Sequence, residues 1–167
     1  MKISRVLRIT LFLSILLLFL KSDFRIINEL KCCQDDFDYY SHAMTIVDDF
    51  DFDYSNQITT KNRFYANNKV APIGFFGSGL LAAPFLLLGN ILDSLFNTDQ
   101  NILEFKKLIY SFSSIFYLFA SLHLLKMTFE IKWKKYLLPL AFFGSGIIYY
   151  SFERYSMTHV YEVFTIS

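Results

Sequence analysis

Long stretches without a formal charge restrict this chain more than any other feature. Residues 70–92 run for 23 positions, 108–125 for 18 and 136–152 for 17. A bilayer core about 30 Å thick takes roughly 20 apolar residues as a helix, so each run is near spanning length. A shorter run, 9–20, follows Lys2, Arg5 and Arg8 and stops at Lys21. With 54% of the 167 residues hydrophobic and 19% aromatic, gathered in runs and not at helical or strand spacing, an ordinary soluble domain is excluded.

The net charge of +1 hides a segregation. Residues 32–60 hold seven acids and no Lys or Arg, whereas bases cluster beside the apolar runs. Charge therefore reports topology and not a nucleic-acid surface. The adjacent Cys32 and Cys33 are read as two juxtamembrane thiols, since two neighbouring cysteines make neither a disulfide framework nor a metal site.

The first apolar run has no A-x-A-like cleavage site after it and no lipobox before Cys32, and is read as an uncleaved span over 1–21. Residues 6–20 make about 22 Å of helix at 1.5 Å per residue, a short anchor that snorkelling by Arg8 and Lys21 extends. If all four runs crossed from a cytoplasmic N-terminus, the segment 126–135, with four lysines against one glutamate, would lie outside and break the positive-inside rule. The run over 70–97 carries Pro72, Pro84, Gly74, Gly77, Gly79 and Gly89, residues tolerated at membrane depth mainly where protein covers the backbone. It is therefore read as re-entrant or interface-embedded. The expected fold is an all-α integral membrane protein with three to four transmembrane helices. Its parts are a span at 1–21, an acidic extracytoplasmic loop at 22–69 containing interfacial helices, the embedded helix at 70–97, spans at 103–127 and 136–153, and the start of a truncated helix at 155–167. The motif Phe-Phe-Gly-Ser-Gly recurs at 75–79 and 142–146, which helix packing through small residues explains.

Within the acidic loop, Phe37, Tyr40, Met44 and Val47 fall at helical spacing and predict an amphipathic surface helix, with Asp35, Asp38 and His42 sharing its polar stripe. A carboxylate at the mouth of an apolar cavity has its pKa raised, which suits a general base; the bland alternative is a solvated loop. Asp48, Asp49, Asp51 and Asp53 alternate with Phe50, Phe52 and Tyr54, the pattern of an extended strip. Such carboxylates are of the kind that binds a divalent cation, but along a strip they diverge, and a solvated turn is expected. The three histidines stand in separate segments without zinc spacing, so no metal ligands are assigned. His123 lies inside an apolar run and His159 just outside one, near Arg154. Gly74, Gly77 and Gly79 lack the lysine and preceding strand of a phosphate loop.

Four stretches, in order, resemble the N-terminal portion of the GT-C superfamily of membrane glycosyltransferases of the dolichyl-phosphate-mannose type. Asp35-Asp36-Phe37-Asp38-Tyr39-Tyr40 looks like that family's acidic residue and paired tyrosines after the first span, and Asp49-Phe50-Asp51-Phe52-Asp53-Tyr54 looks like its D-G-D-L-D-F turn. Asn68 to Gly74 with Ala83-Pro84-Phe85 resembles its proline-bearing embedded helix, and Phe143 to Tyr150 followed by Ser156-Met157-Thr158-His159 completes the series. The resemblance implies transfer of a hexose or pentose from a polyprenyl-phosphate donor, with inversion, to an extracytoplasmic acceptor. It places the chain in a bacterial inner membrane with a cytoplasmic N-terminus, and the lipid bilayer and the lipid-linked sugar are the expected partners. It gives Asp35, with Asp36 as rival, the role of acceptor-deprotonating carboxylate. Asp38 and His42 beside them, and Arg154 and His159 near the last span, become substrate-binding candidates, the latter two toward the donor phosphate. The family's usual glycine after the first aspartate is Asp36 here, and its further spans and soluble part are not in this sequence. The isolated chain is accordingly expected to be an inactive front portion. The competing expectation is a small non-catalytic membrane protein, a transporter or assembly-subunit fragment, whose acidic loop is a contact surface.

Overall fold

Two acids in the first turn, Asp35 and Asp36, favour a helix start after Cys33 because they face its positive dipole end. In the computed structural model, helix α1 runs over Gln34–Met44. The structure describes residues 34–58, 64–66, 69–96, 105–128, 141 and 144–167. The expected span at 1–21, the two cysteines and residues 129–135 of the lysine-rich segment lie outside the described residues.

Helix α1 widens into a π-helical turn, Thr45–Asp49, and stops at Phe50, whose backbone turns left-handed (φ 58°, ψ 31°) and donates its N–H to the Thr45 carbonyl. The next acids build turns. Asp51 accepts from the Thr45 hydroxyl at 3.0 Å and the Asp53 N–H at 3.0 Å, and Asp53 accepts from the Ser55 N–H at 3.1 Å. The solvated turn expected here takes the form of side-chain-capped turns over residues 51–55, after a π-helical turn that holds Asp48 and Asp49. The alternation of Asp with aromatics arises because short carboxylates capture backbone N–H groups two residues on, a local competition that periodicity does not register.

Strands β1 (Phe64–Ala66) and β2 (Lys69–Ala71) pair antiparallel, Phe64 opposite Ala71 and Ala66 opposite Lys69. Pro72 follows at the end of β2, where its missing N–H costs no ladder bond.

Helix α2 (Phe76–Phe96) and helix α3 (Phe105–Thr128) are the two described helices long and apolar enough to cross a membrane. Their 21 and 24 residues correspond to about 31 and 36 Å. They form an antiparallel hairpin. Phe85 packs on Phe116, and the Tyr117 hydroxyl donates to the Leu81 carbonyl at 2.9 Å. At the closed end, the Asp93 carboxylate accepts the N–H groups of Phe105 and Lys106, both at 2.8 Å, which caps α3 from α2. Gly89 lets the backbones meet there: a Cβ would stand 2.6 Å from Lys106 Cα. Despite Pro84 and its glycines, α2 is one continuous helix. Pro84 faces outward, and Gly79 and Gly89 lie at contact points where a side chain would hold neighbours apart.

Two short helices, α4 (Ile147–Phe152) and α5 (His159–Ile166), pack on α3 through a face of small residues. Ser113 shares a hydrogen bond of 2.7 Å with the Tyr161 hydroxyl, and Ser114 donates to the Ser151 carbonyl at 2.7 Å. Of the span expected over 136–153, residues 136–140 and 142–143 lie outside the described residues; helix α4 ends at Phe152, and a turn leads into α5. The core is aromatic: Tyr40 meets Tyr110 edge-on at 4.8 Å, and Tyr110 meets Tyr155 at 6.3 Å.

Candidate functional site

Helix α1 lies against the hairpin with more of its circumference covered than its sequence pattern implies. Of the stripe expected to face water, only Asp35 is exposed; Asp38 and His42 are buried, and so is Asp36 on the adjoining face. The stripe was expected to be solvated because it is polar. It is covered because α1 packs against α2, the segment before it and the segment after α4, and the buried side chains find partners there and in the turn after α1: Asp36 in Arg154, Asp38 in Ile73, His42 in Gly74 and Tyr54.

Asp36, 3% exposed, accepts a hydrogen bond from Arg154 Nε at 2.8 Å, an ion pair between residues 118 apart in the chain. The other carboxylate oxygen, Oδ1, is buried with no hydrogen-bond partner among the described residues. Burial pushes the Asp36 carboxyl above its ordinary range, against the opposing hydrogen bond and charge of Arg154, and the neighbouring Asp35 charge adds to the rise. Arg154 sits in the turn between α4 and α5, and its second guanidinium nitrogen lies 3.8 Å from Met157 Sδ. Tyr39, on the same end of α1, hydrogen-bonds the Thr158 side chain and has its hydroxyl pKa raised, chiefly by burial. Its ring covers Gly74, where any Cβ would collide with it.

Asp38 and His42 point elsewhere. Asp38, 1% exposed, accepts from the Ile73 N–H at 3.2 Å. His42 bridges three segments: Nε2 lies 2.9 Å from the Gly74 carbonyl and Nδ1 lies 2.8 Å from the Tyr54 hydroxyl. A carbonyl only accepts, so the proton sits on Nε2 and, in the neutral ring, Nδ1 accepts from Tyr54. Burial lowers the His42 pKa, with the Gly74 bond and the Asp38 charge opposing, so the neutral ring is the form held at neutral pH. His159 is half-exposed, its ring centroid 4.1 Å from that of Tyr150 and its Nδ1 3.8 Å from Glu162.

The second acid group is consumed structurally. Asp48 accepts from Lys106 Nζ at 2.6 Å and from Asn90 Nδ2 at 2.8 Å, and Asp49 accepts from the Gln57 amide. Among the described residues, no group of three or more His, Cys, Asp or Glu converges as a metal site would require. Of the six candidates, then, Asp35, Asp36 and Arg154 are gathered at the start of α1, His159 lies on α5 beyond that turn, and Asp38 and His42 serve the contact between α1 and the segment before α2. The Tyr39–Thr158 and Asp48–Lys106 pairs were missed by sequence reasoning. Nothing in the spacing of those residues signals them, because their partners lie far along the chain.

Comparison of the chain with family models, curated proteins and solved structures finds no match.

Proposed function

We propose that the chain is the acceptor-activating front part of a GT-C-like membrane glycosyltransferase, one that moves a sugar from a polyprenyl-phosphate donor to an acceptor outside a bacterial inner membrane. The observation that carries this reading is the buried Asp36–Arg154 pair with exposed Asp35 beside it. The pair ties the first turn of α1 to the turn after α4. Asp35 then stands at the surface, on a helix held from both sides, where it can take a proton from an acceptor hydroxyl. Asp36 already matches the charge of Arg154, so in this reading Arg154 positions Asp35 and does not hold the donor phosphate.

The site belongs at a membrane surface. The acidic segment lies along α2: Gly79 abuts His42, while Asn90 binds Asp48. Those two residues are 11 positions apart on α2, about 16 Å. A strand of chain carrying so many carboxylates costs too much to sink into hydrocarbon beside α2. The opposite side of α2 exposes Leu80, Leu87, Leu88, Ile91 and Leu95 in one stripe. With acids on one side and leucines on the other, α2 is read as embedded at the membrane surface.

The test is sugar transfer from a radiolabelled polyprenyl-phosphate hexose in membranes of the cell that makes the protein. Made in the complete enzyme of which this chain is proposed to be a part, Asp35→Asn is expected to reduce transfer about 10²- to 10⁴-fold, the usual worth of a general base, at unchanged protein level. Arg154→Met is expected to reduce the amount of folded protein, since it strands a buried carboxylate at a cost of about 3–5 kcal/mol. Unaltered transfer by Asp35→Asn overturns the assignment and leaves the acidic loop as a contact surface of a non-catalytic membrane protein.

A further inference from the structure

The turn after α1 exposes acids and large apolar groups side by side. Asp48 and Asp51 are exposed, yet each carboxylate of the turn is held by a partner: Asp48 binds Lys106 and Asn90, Asp49 binds Gln57, Asp51 binds the Thr45 hydroxyl and Asp53 caps Ser55. Its phenylalanines face away, Phe50 being 81% and Phe52 67% exposed. Phe50 also holds a left-handed backbone that a residue with a bulky side chain adopts only at a cost. Phe52 packs on Phe76, the first residue of α2, with ring centroids 5.6 Å apart. Just before Phe76, Ile73 and Phe75 are exposed as well, Phe75 at 79%. Two chain segments thus meet at Phe52 and Phe76, and each presents large apolar side chains to the outside.

We propose that Phe50, Phe52, Ile73 and Phe75 are an interfacial anchor that inserts into the headgroup–acyl boundary of a lipid bilayer. The inference rests on the reading of α2 as a membrane-embedded helix. The occupant is lipid because the patch is continuous with α2: it borders the residue at which α2 begins, and the exposed leucine stripe carries on from it. Aromatic side chains collect at that depth of a membrane, whereas an apolar patch of this kind facing water is costly. Electrostatics adds a constraint. Seven acids and no Lys or Arg within residues 32–60 make this segment repel anionic headgroups, so the anchor works through apolar and aromatic insertion and not through charge. Docking here would hold the acidic turn, and with it α1, at a fixed height over the bilayer.

The experiment is tryptophan fluorescence of the full chain in phosphatidylcholine vesicles carrying acyl chains brominated at a shallow or a deep position. The one native tryptophan, Trp133, is replaced by Phe. Single reporters are then Phe50→Trp and Phe52→Trp for the anchor, Leu88→Trp for the exposed side of α2, and Asn56→Trp as an exposed polar-turn control. Both anchor reporters are expected to emit blue-shifted and to be quenched more by shallow than by deep bromine, Leu88→Trp to be quenched, and Asn56→Trp to be unquenched. Adding phosphatidylglycerol should leave the quenching unchanged or weaken it. If Leu88→Trp is quenched while both anchor reporters emit as in water, the anchor is overturned and the embedded α2 stands. If Leu88→Trp is also unquenched, the membrane reading beneath it falls. Blue-shifted anchor reporters that bromine does not quench, with a shift that grows with the protein-to-lipid ratio, mean a second copy covers the patch, which likewise overturns the lipid assignment. Quenching that requires anionic lipid overturns it too.

Discussion

His42 shows at the residue scale how one buried side chain holds the candidate site together. Its neutral ring donates to Gly74 and accepts from Tyr54, so it pins α1 to the turn after it and to the segment that leads into α2. Burial lowers its pKa below the ordinary 6.5, which means the unfolded chain takes up this proton more readily than the folded one. The stability it supplies is present above pH 6.5 and is lost as pH falls through the folded-state value. Asp36 works in the opposite sense: its raised pKa favours the folded state as the solution turns acidic. A comparison of wild type with His42→Gln therefore isolates the histidine. In detergent, the thermal midpoint of the wild type followed by circular dichroism is expected to drop below pH 6.5, whereas His42→Gln lacks that component. At neutral pH the variant should be less stable by about 1–3 kcal/mol, the cost of an unpaired buried polar group. Equal pH profiles for the two proteins refute the latch. The sequence marks His42 and the two first-turn aspartates as polar residues on a helix, and that much is legible. It does not reveal that Asp36 meets Arg154 or that His42 turns inward, because both depend on chain segments tens of residues away.

Helices in this chain touch where side chains are missing. Gly79 faces α1 so closely that a Cβ would collide with His42 and stand 3.0 Å from the Ala43 backbone nitrogen, which cannot move aside as a flexible side chain would. Gly77, two residues earlier, has nothing within 4 Å of the same added atom. Gly79→Ala is expected to destabilise the fold by about 1–3 kcal/mol through forced separation of α1 and α2. Gly77→Ala should leave stability unchanged or raise it by up to about 1 kcal/mol, since alanine is the better helix former. Chemical unfolding of both variants checks the pair, and equal effects would show that close packing does not explain Gly79. The same glycines and Pro84 lead the sequence to read 70–97 as a re-entrant or interface-embedded helix. Composition records that such residues are present, but not that two of the glycines sit at helix crossings and the proline on the outer side. The serines of α3 are similar. Ser111, Ser113, Ser114 and Ser121 are wholly buried in an apolar run, where they bond to backbone and to Tyr161, and no periodicity separates them from lipid-facing positions.

For the whole molecule, the proposed membrane reading turns on which apolar run fails to cross, and two arguments bear on it. Charge bookkeeping along the chain places the four lysines of 126–135 in the cytoplasm only if one apolar run fails to cross. In the proposed reading, packing points to α2 as that run. Helix α2 carries the acidic segment between two points 11 residues apart, with Asp48 held by Asn90 at one end and His42 seated on Gly79 at the other, while α3 meets α4 and α5 through serines and aromatics. Carboxylates bound along a helix flank resist being sunk into hydrocarbon, and that supports the reading. The overall class, a helical chain with membrane-length apolar runs, is legible because it depends on run length alone. The depth of α2 is not, because it depends on what packs beside it. The expected outcome follows directly. If the N-terminus is cytoplasmic, as the proposed reading has it, a paired alkaline phosphatase and green fluorescent protein fusion after Asp99 should report the outside, and one after Lys134 the inside. A cytoplasmic signal at Asp99 would mean that α2 crosses and carries the acidic segment with it through the membrane. In that case the pair at Asp36 and Arg154 could no longer stand at an outer surface, and the proposed transfer reaction would lose its place as well as its base.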